Sequence, residues 1–260
     1  MTLVPKLQVH DVSKTFALDG APLPILQHIS FAVSEGEFVS LLGPSGCGKS
    51  TLFNIIAGLL RPDTGRLMFD GKAVDDSRGM VAYMQQKDLL FPWRRVIDNA
   101  ILGLEVQHVS KRKARRAAHE LLVRFGLQDF AQAYPAELSG GMRQRVALIR
   151  TLLCGKDLLL LDEPFGALDA MTRSVLQRWL LRIWAEFGKT ILFITHDVEE
   201  ALLLSDRIVV LSARPGELKD DLEVSLPRPR RVIDEAVVQM KGKLLELVQG
   251  EMGEAIGYGT

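Results

Sequence analysis

The chain has 260 residues, 47% apolar and 25% charged, which excludes a disordered chain and leaves room for one large α/β domain, with or without an insertion. Its 32 Lys and Arg balance 32 Asp and Glu; such neutrality argues against a protein that coats nucleic acid and fits a part made for a complex. Two cysteines give no disulfide framework, residues 1–14 do not read as a secretory signal, and no apolar run approaches the ~20 residues that span a bilayer, so a cytosolic chain is expected, and any membrane work must go through a partner.

The first elements read as strands. Residues 7–12 alternate apolar and polar, residues 18–24 are rich in turn formers, and residues 25–33 form a second strand region, so a hairpin is expected. Phe16 stands just after the first of these strands. From position alone it is better read as core than as an aromatic that stacks on a base.

Residues 37–42 are a short, mostly apolar run that reads as a buried strand. Gly43, Pro44, Ser45, Gly46, Cys47, Gly48, Lys49, Ser50 and Thr51 follow and fit G-x-x-x-x-G-K-[ST], and residues 52–57 read as the apolar start of a helix. The glycines let the backbone turn successive N–H groups toward a polyphosphate, and the helix adds the positive end of its dipole. Lys49 can reach the outer phosphates, and the Ser50 hydroxyl can ligate Mg²⁺. A glycine-rich turn that merely contains lysine is the weaker reading, because strand and helix are both in place.

Residues 61–65 read as a turn, 66–71 as a strand ending in Asp-Gly, and 80–84 as another strand, which runs into the loop 85–93. From Val96 the pattern turns helical: one turn-rich segment over 96–104, then a helix from an N-cap at Ser110 to Phe125, with Gly126 closing it. The basic cluster on that helix reads as a solvated face rather than a lipid contact. Leu138, Ser139, Gly140, Gly141 and Met142 open a further helix over 143–153. Ser139-Gly140-Gly141 is a second anion nest at a helix N-terminus; taken alone it is better read as an ordinary N-cap, but a triphosphate needs one cradle per copy, so a second suggests that it faces another molecule.

Residues 158–161 are four leucines, and Asp162 and Glu163 emerge at their end, the edge where open α/β sheets place ligands. Asp162 can hold the metal through water, and Glu163 can polarise the attacking water. A helix over 171–187 separates this strand from two more, at 190–194 and 207–211. His196 follows the first of these, at its C-terminal end. Strands alternating with helices mean a mostly parallel sheet covered on both faces. Beyond a Pro- and Arg-rich linker at 227–231, Ile233, Val237, Met240, Leu244 and Leu247 recur at helical spacing.

This set of motifs, with Gln86, Asp169 and His196 in order, resembles the ATP-binding subunit of an ABC transporter over about residues 7–215. The Ser-Gly-Gly signature is the specific element. The resemblance implies a P-loop NTPase core with a mostly parallel sheet, an N-terminal antiparallel β subdomain and an α-helical subdomain inserted at about 88–155. An ATPase domain at 1–215 and a short extension at 216–260 complete the expected organisation.

The resemblance also implies roles. Phe16 stacks on adenine, which reverses the reading from position. Gln86, six residues before Pro92, senses Mg²⁺ and the attacking water. Ser139, Gly140 and Gly141 close over the ATP of a second copy, Asp169 communicates across the dimer, and His196 contacts the γ-phosphate. Met142 departs from the glutamine that many members carry, with little loss expected because backbone N–H groups do the anion work. Implied partners are a second copy, integral membrane permease subunits and, indirectly, a periplasmic or surface solute-binding protein, with no nucleic acid; the implied place is the cytoplasmic face of the cell membrane. Residues 90–94 and 142–145 resemble the nitrate, sulfonate and taurine importer group, which also covers pyrimidine precursors and riboflavin-like compounds. Trp93 would sit where a permease helix docks. A soluble ABC ATPase of DNA repair or translation is the alternative, and it would usually carry a long coiled coil or two ATPase units. A P-loop kinase is a third class, which the Ser-Gly-Gly signature argues against.

Overall fold

The computed structural model describes residues 4–256. In chain order its strands are β1 (Leu7–Leu18), β2 (Ala21–Val33), β3 (Phe38–Leu42), β4 (Thr64–Phe69), β5 (Lys72–Val74), β6 (Val81–Met84), β7 (Leu158–Asp162), β8 (Thr190–Ile194), β9 (Arg207–Leu211) and β10 (Leu218–Glu223). Its helices are α1 (Lys49–Ile56), α2 (Val96–Ala100), α3 (Leu102–Val106), α4 (Lys111–Arg124), α5 (Gly140–Leu153), α6 (Ala170–Phe187), α7 (Val198–Leu204) and α8 (Glu235–Ile256). The chain divides into two compact units, one holding residues up to Met80 and from Trp184 on, the other Val81–Ile183.

The first unit contains two sheet segments. One is antiparallel, in the order β2-β1-β4-β5. Asp19 and Gly20 close its first hairpin and Asp70 and Gly71 its second; all four have positive φ, as two-residue hairpin turns of the primed type require. Phe16 lies inside β1, opposite Leu23, rather than after the strand: the tight turn at Asp19-Gly20 lets the ladder run to Leu18.

The other segment places β3 between β8 and β9, parallel to both, and adds β10 antiparallel to β9. All five residues of β3 and of β8 are buried, which is why they read as continuous apolar runs. The sequence of β10, Leu-Lys-Asp-Asp-Leu-Glu, gave no apolar alternation; it pairs on one side only and keeps its charges outward, as an edge strand does. The helix α8 buries Val237 and Leu244 against Val198, Ala201 and Leu202 of α7 and Val210 of β9, while Met240 is partly covered. Lys241 of α8 also pairs with Glu199 of α7 at 2.5 Å. Ile233 falls before α8 and is exposed.

The second unit pairs β6 with β7 in parallel and also holds α2–α5 and most of α6, with α5 packed on β6 and on α2, α3 and α4. The segment expected as one helix over 96–104 is two short helices, with Ile101 between them. The buried side chain of Asn99 accounts for the irregularity that precedes them: its amide accepts from the Phe91 N–H and donates to the carbonyls of Phe91 and Arg94, which draws residues 91–95 onto α2. Among the described residues no helix is long and apolar enough to cross a membrane.

Candidate functional site

In the first unit, β3 ends at Leu42 and the chain turns through residues 43–48 into α1. Gly48 has φ 105°, and a β-carbon there would lie 2.6 Å from Leu26 Cδ2 of β2, so only glycine fits. It caps α1 without a side chain, and the first-turn N–H groups of a helix have no carbonyl one turn back. Ser45 and Gly46 are exposed. The Lys49 side chain folds back over the loop and is buried, with Nζ donating to the carbonyls of Gly43 at 2.7 Å and Pro44 at 2.8 Å. A cation thus stands beside the N-terminus of α1, held by two loop carbonyls, a combination that suits a polyphosphate.

Cys47 is buried under the loop, with Sγ 3.6 Å from Lys49 Nζ. It does not line the outer face. Mass spectrometry of the native chain after thiol reagent should find Cys47 modified slowly whether or not ATP is present. Fast modification without ATP would contradict the buried placement.

Phe16 is 40% exposed, with the Lys14 ammonium 5.7 Å from its ring centroid. An aromatic face left open on the unit that carries the P-loop is available for stacking. His196 is exposed just past β8, where Asp197 caps α7 through its Oδ1, 2.8 Å from the Glu199 N–H. Thr195 ties the turn to the helix by donating to the buried carboxylate of Glu200 at 2.7 Å.

In the second unit, the expected acids stand at the end of β7. Asp162 is 2% exposed, with the Tyr83 hydroxyl 3.5 Å from its Oδ2. Burial, and then the neighbouring Asp162 charge, push the Tyr83 phenol well above its ordinary value, so it stays a neutral donor. Glu163 is half-buried and adopts φ 47°, the left-handed region, at a cost of about 1–3 kcal/mol for a residue with a β-carbon. The two adjacent carboxylates have different surroundings, Asp162 buried beside Tyr83 and Glu163 half-buried. Gln86, in the loop after β6, donates from Nε2 to Glu163 Oε2 at 3.1 Å. Two residues chosen far apart in sequence therefore meet.

Ser139 caps α5, its Oγ accepting from the Met142 N–H at 3.3 Å. Ser139 and Gly140 are exposed, while a β-carbon on Gly141 would lie 2.9 Å from Leu168 Cδ2. A side chain at Gly141 would therefore displace Leu168 in the loop after β7. Met142 contributes its backbone N–H to the cap. Asp169 is exposed and accepts from the Thr172 N–H at 2.9 Å, a bond that holds its carboxyl below the usual range.

Residues the sequence reading passed over are the arginines of α5. Arg143 donates to Asp88 Oδ2 at 3.1 Å and to the Leu138 carbonyl at 2.8 Å, and Arg150 donates to the carbonyls of Asp88 and Leu89 at 2.6 and 2.8 Å. Their only sequence signal is position, one turn and three turns into the helix that the signature opens. A cavity of about 690 Å³ lies elsewhere in the first unit, lined by Leu59, Arg61, Arg66, Asp76 and Arg78 among others, and includes no P-loop residue; volume alone does not find this site.

The protein-family match is to the family described as ABC transporter, over residues 26–166. The chain is 43% identical to an uncharacterized ABC transporter ATP-binding protein of Methanocaldococcus jannaschii, over 95% of this chain and 92% of that one. It is 48% identical to a taurine import ATP-binding protein of Rhizobium johnstonii, over 82% of this chain and 81% of that one. It is 43% identical to an aliphatic sulfonates import ATP-binding protein of Bacillus cereus, over 92% and 94%. Among solved structures, a bacterial ABC transporter cassette in dimeric form superposes with a TM-score of 0.78 at 32% identity, over 85% of this chain and all of that one. A post-hydrolysis dimer of that cassette, bound to ADP and Pi, also has a TM-score of 0.78, at 31% identity and the same coverage.

Proposed function

This chain belongs to the ABC transporter family as an ATP-binding subunit, an ATPase that powers transport, and from that membership we propose how its residues divide the work. Residues 43–51 bind the phosphates of ATP, with Lys49 as the mobile cation, and Phe16 stacks on the base. Ser139, Gly140 and Gly141 cover the nucleotide of a second copy, so that two chains enclose two ATP and close together. Glu163 takes the proton of the attacking water, Gln86 and His196 orient that water and the γ-phosphate, and Asp169 reports across the dimer. The residues that would hold Mg²⁺ are Ser50, Gln86 and Asp162, all oxygen donors suited to that hard cation, which would neutralise phosphate charge. One observation supports the paired-site reading: the chain has two glycine-bearing helix N-termini with exposed residues, at the P-loop and at Ser139.

The cargo is read from the relatives as a small organic anion, a sulfonate or taurine first, taken up through permease subunits fed by a solute-binding protein. The subunit then works at the cytoplasmic face of the membrane. Residues 1–215 act as the ATPase domain, with the helices of about 88–155 as a subdomain, and 216–260 as an extension. Trp93, 72% exposed and stacked on Phe91 at 5.2 Å between ring centroids, is the side chain offered to the permease.

Ser139→Arg tests the paired sites. It should bind ATP as the parent does but fail to dimerise with ATP, as read by light scattering; an ATP-induced dimer in that variant overturns the composite site. Copurification with an integral membrane protein tests the transport role against a soluble ATPase.

A further inference from the structure

Beyond the groups that meet ATP, one helix of the second unit links what the proposed function assigns to two different nucleotides. The N-terminus of α5 is the Ser139 nest, which faces the partner's ATP. The flank of α5 holds the loop bearing Gln86, which faces the chain's own. Arg143 spans the two: one nitrogen donates to the Leu138 carbonyl, next to Ser139, and another to Asp88, two residues from Gln86. Asp88 passes the constraint on, its Oδ1 accepting from the Leu90 N–H at 3.0 Å. Arg150 grips the same loop by two carbonyls, one of them that of Leu89, whose φ of 46° lies in the left-handed region. The Gln144 amide lies 3.5 Å from the Gln86 carbonyl. The loop is therefore pinned to α5 at four points, and Gln86 reaches Glu163 from that pinned loop.

We propose that Arg143 is a positioning residue that couples the two nucleotides of the dimer: ATP engaged at Ser139 of one copy sets, through the Arg143–Asp88 brace, the placement of that copy's own Gln86 beside Glu163. This rests on the paired-site reading above. The guanidinium suits the task because its planar fork holds two acceptors at fixed angles, which an ammonium cannot do. The pair is about a third exposed, at 36% for Arg143 and 28% for Asp88. Its loss therefore costs little folding stability, and its effect is on geometry.

The test uses the full-length chain, with ATPase rate measured against ATP concentration, nucleotide affinity by titration and melting temperature as the control. The parent should give a Hill coefficient approaching 2, the number of sites. Arg143→Ala should bring it to about 1 and lower kcat by ~10–10²-fold, the scale of a misplaced catalytic group. ATP affinity and melting temperature should hold. Asp88→Ala should do the same, and the double variant no more than either alone, because one interaction is lost once. Arg143→Lys should restore little cooperativity. Parental cooperativity and turnover in Arg143→Ala, or effects that add in the double variant, overturn the coupling role. A parent that shows neither cooperativity nor an ATP-induced dimer overturns the paired-site reading and this proposal with it, and that result is visible before any variant is made.

Discussion

Glu163→Gln is expected to bind ATP and form the ATP-dependent dimer like the parent, but to turn over ~10²–10⁴-fold more slowly, the usual loss when a positioned base is removed. The substitution keeps the shape of the side chain and an oxygen that can accept from Gln86, now 3.1 Å from the carboxylate. It removes the charge and the basicity. Glu163 leaves β7 in a left-handed turn that glutamine adopts at the same cost. A loss of turnover without loss of dimer therefore isolates the chemical step. The decisive measurement is single-turnover hydrolysis alongside dimer formation on the same preparation. Hydrolysis at the parental rate would remove Glu163 from the role of base. Asp162, 2% exposed with the Tyr83 hydroxyl 3.5 Å from its Oδ2, is less open to water than the half-buried Glu163.

Much of this was legible in the sequence because the motifs are local. The P-loop needs glycines at fixed offsets, since Gly48 has no room for a β-carbon against Leu26. The acids at 162 and 163 announce themselves because four leucines precede them. What could not be read depends on side chains that meet only after folding. Gln86 and Glu163 are 77 positions apart, and Arg143 and Asp88 are 55 apart; no periodicity encodes either contact. Cys47 lies inside the motif yet points away from its open face, because the loop turns it under toward Gly43. The edge strand β10 was hidden by its charges, and the fold of residues 91–95 onto α2 by Asn99, a polar residue that is buried to hold a loop.

The remaining large effect concerns the lysine of the P-loop. Lys49→Ala should weaken ATP binding by ~10–150-fold, the equivalent of about 1.5–3 kcal/mol for a hydrogen bond to a charged group. Two roles compete for this residue. With Nζ on the carbonyls of Gly43 and Pro44, Lys49 also latches the loop upon itself, and its buried ammonium depends on those acceptors. The two roles separate in two measurements on one variant. If Lys49 serves phosphate, affinity falls while the melting temperature of the nucleotide-free chain changes little. If it is only a latch, the nucleotide-free chain melts lower and ATP binds the surviving fold with parental affinity. The P-loop glycines favour the first outcome: Gly46 and Gly48 hold the backbone turn through their own positive φ of 81° and 105°, so the loop keeps its shape without the latch. What it loses is the one side-chain cation among the nine residues of the cradle, and a triphosphate registers that loss more strongly than the fold does.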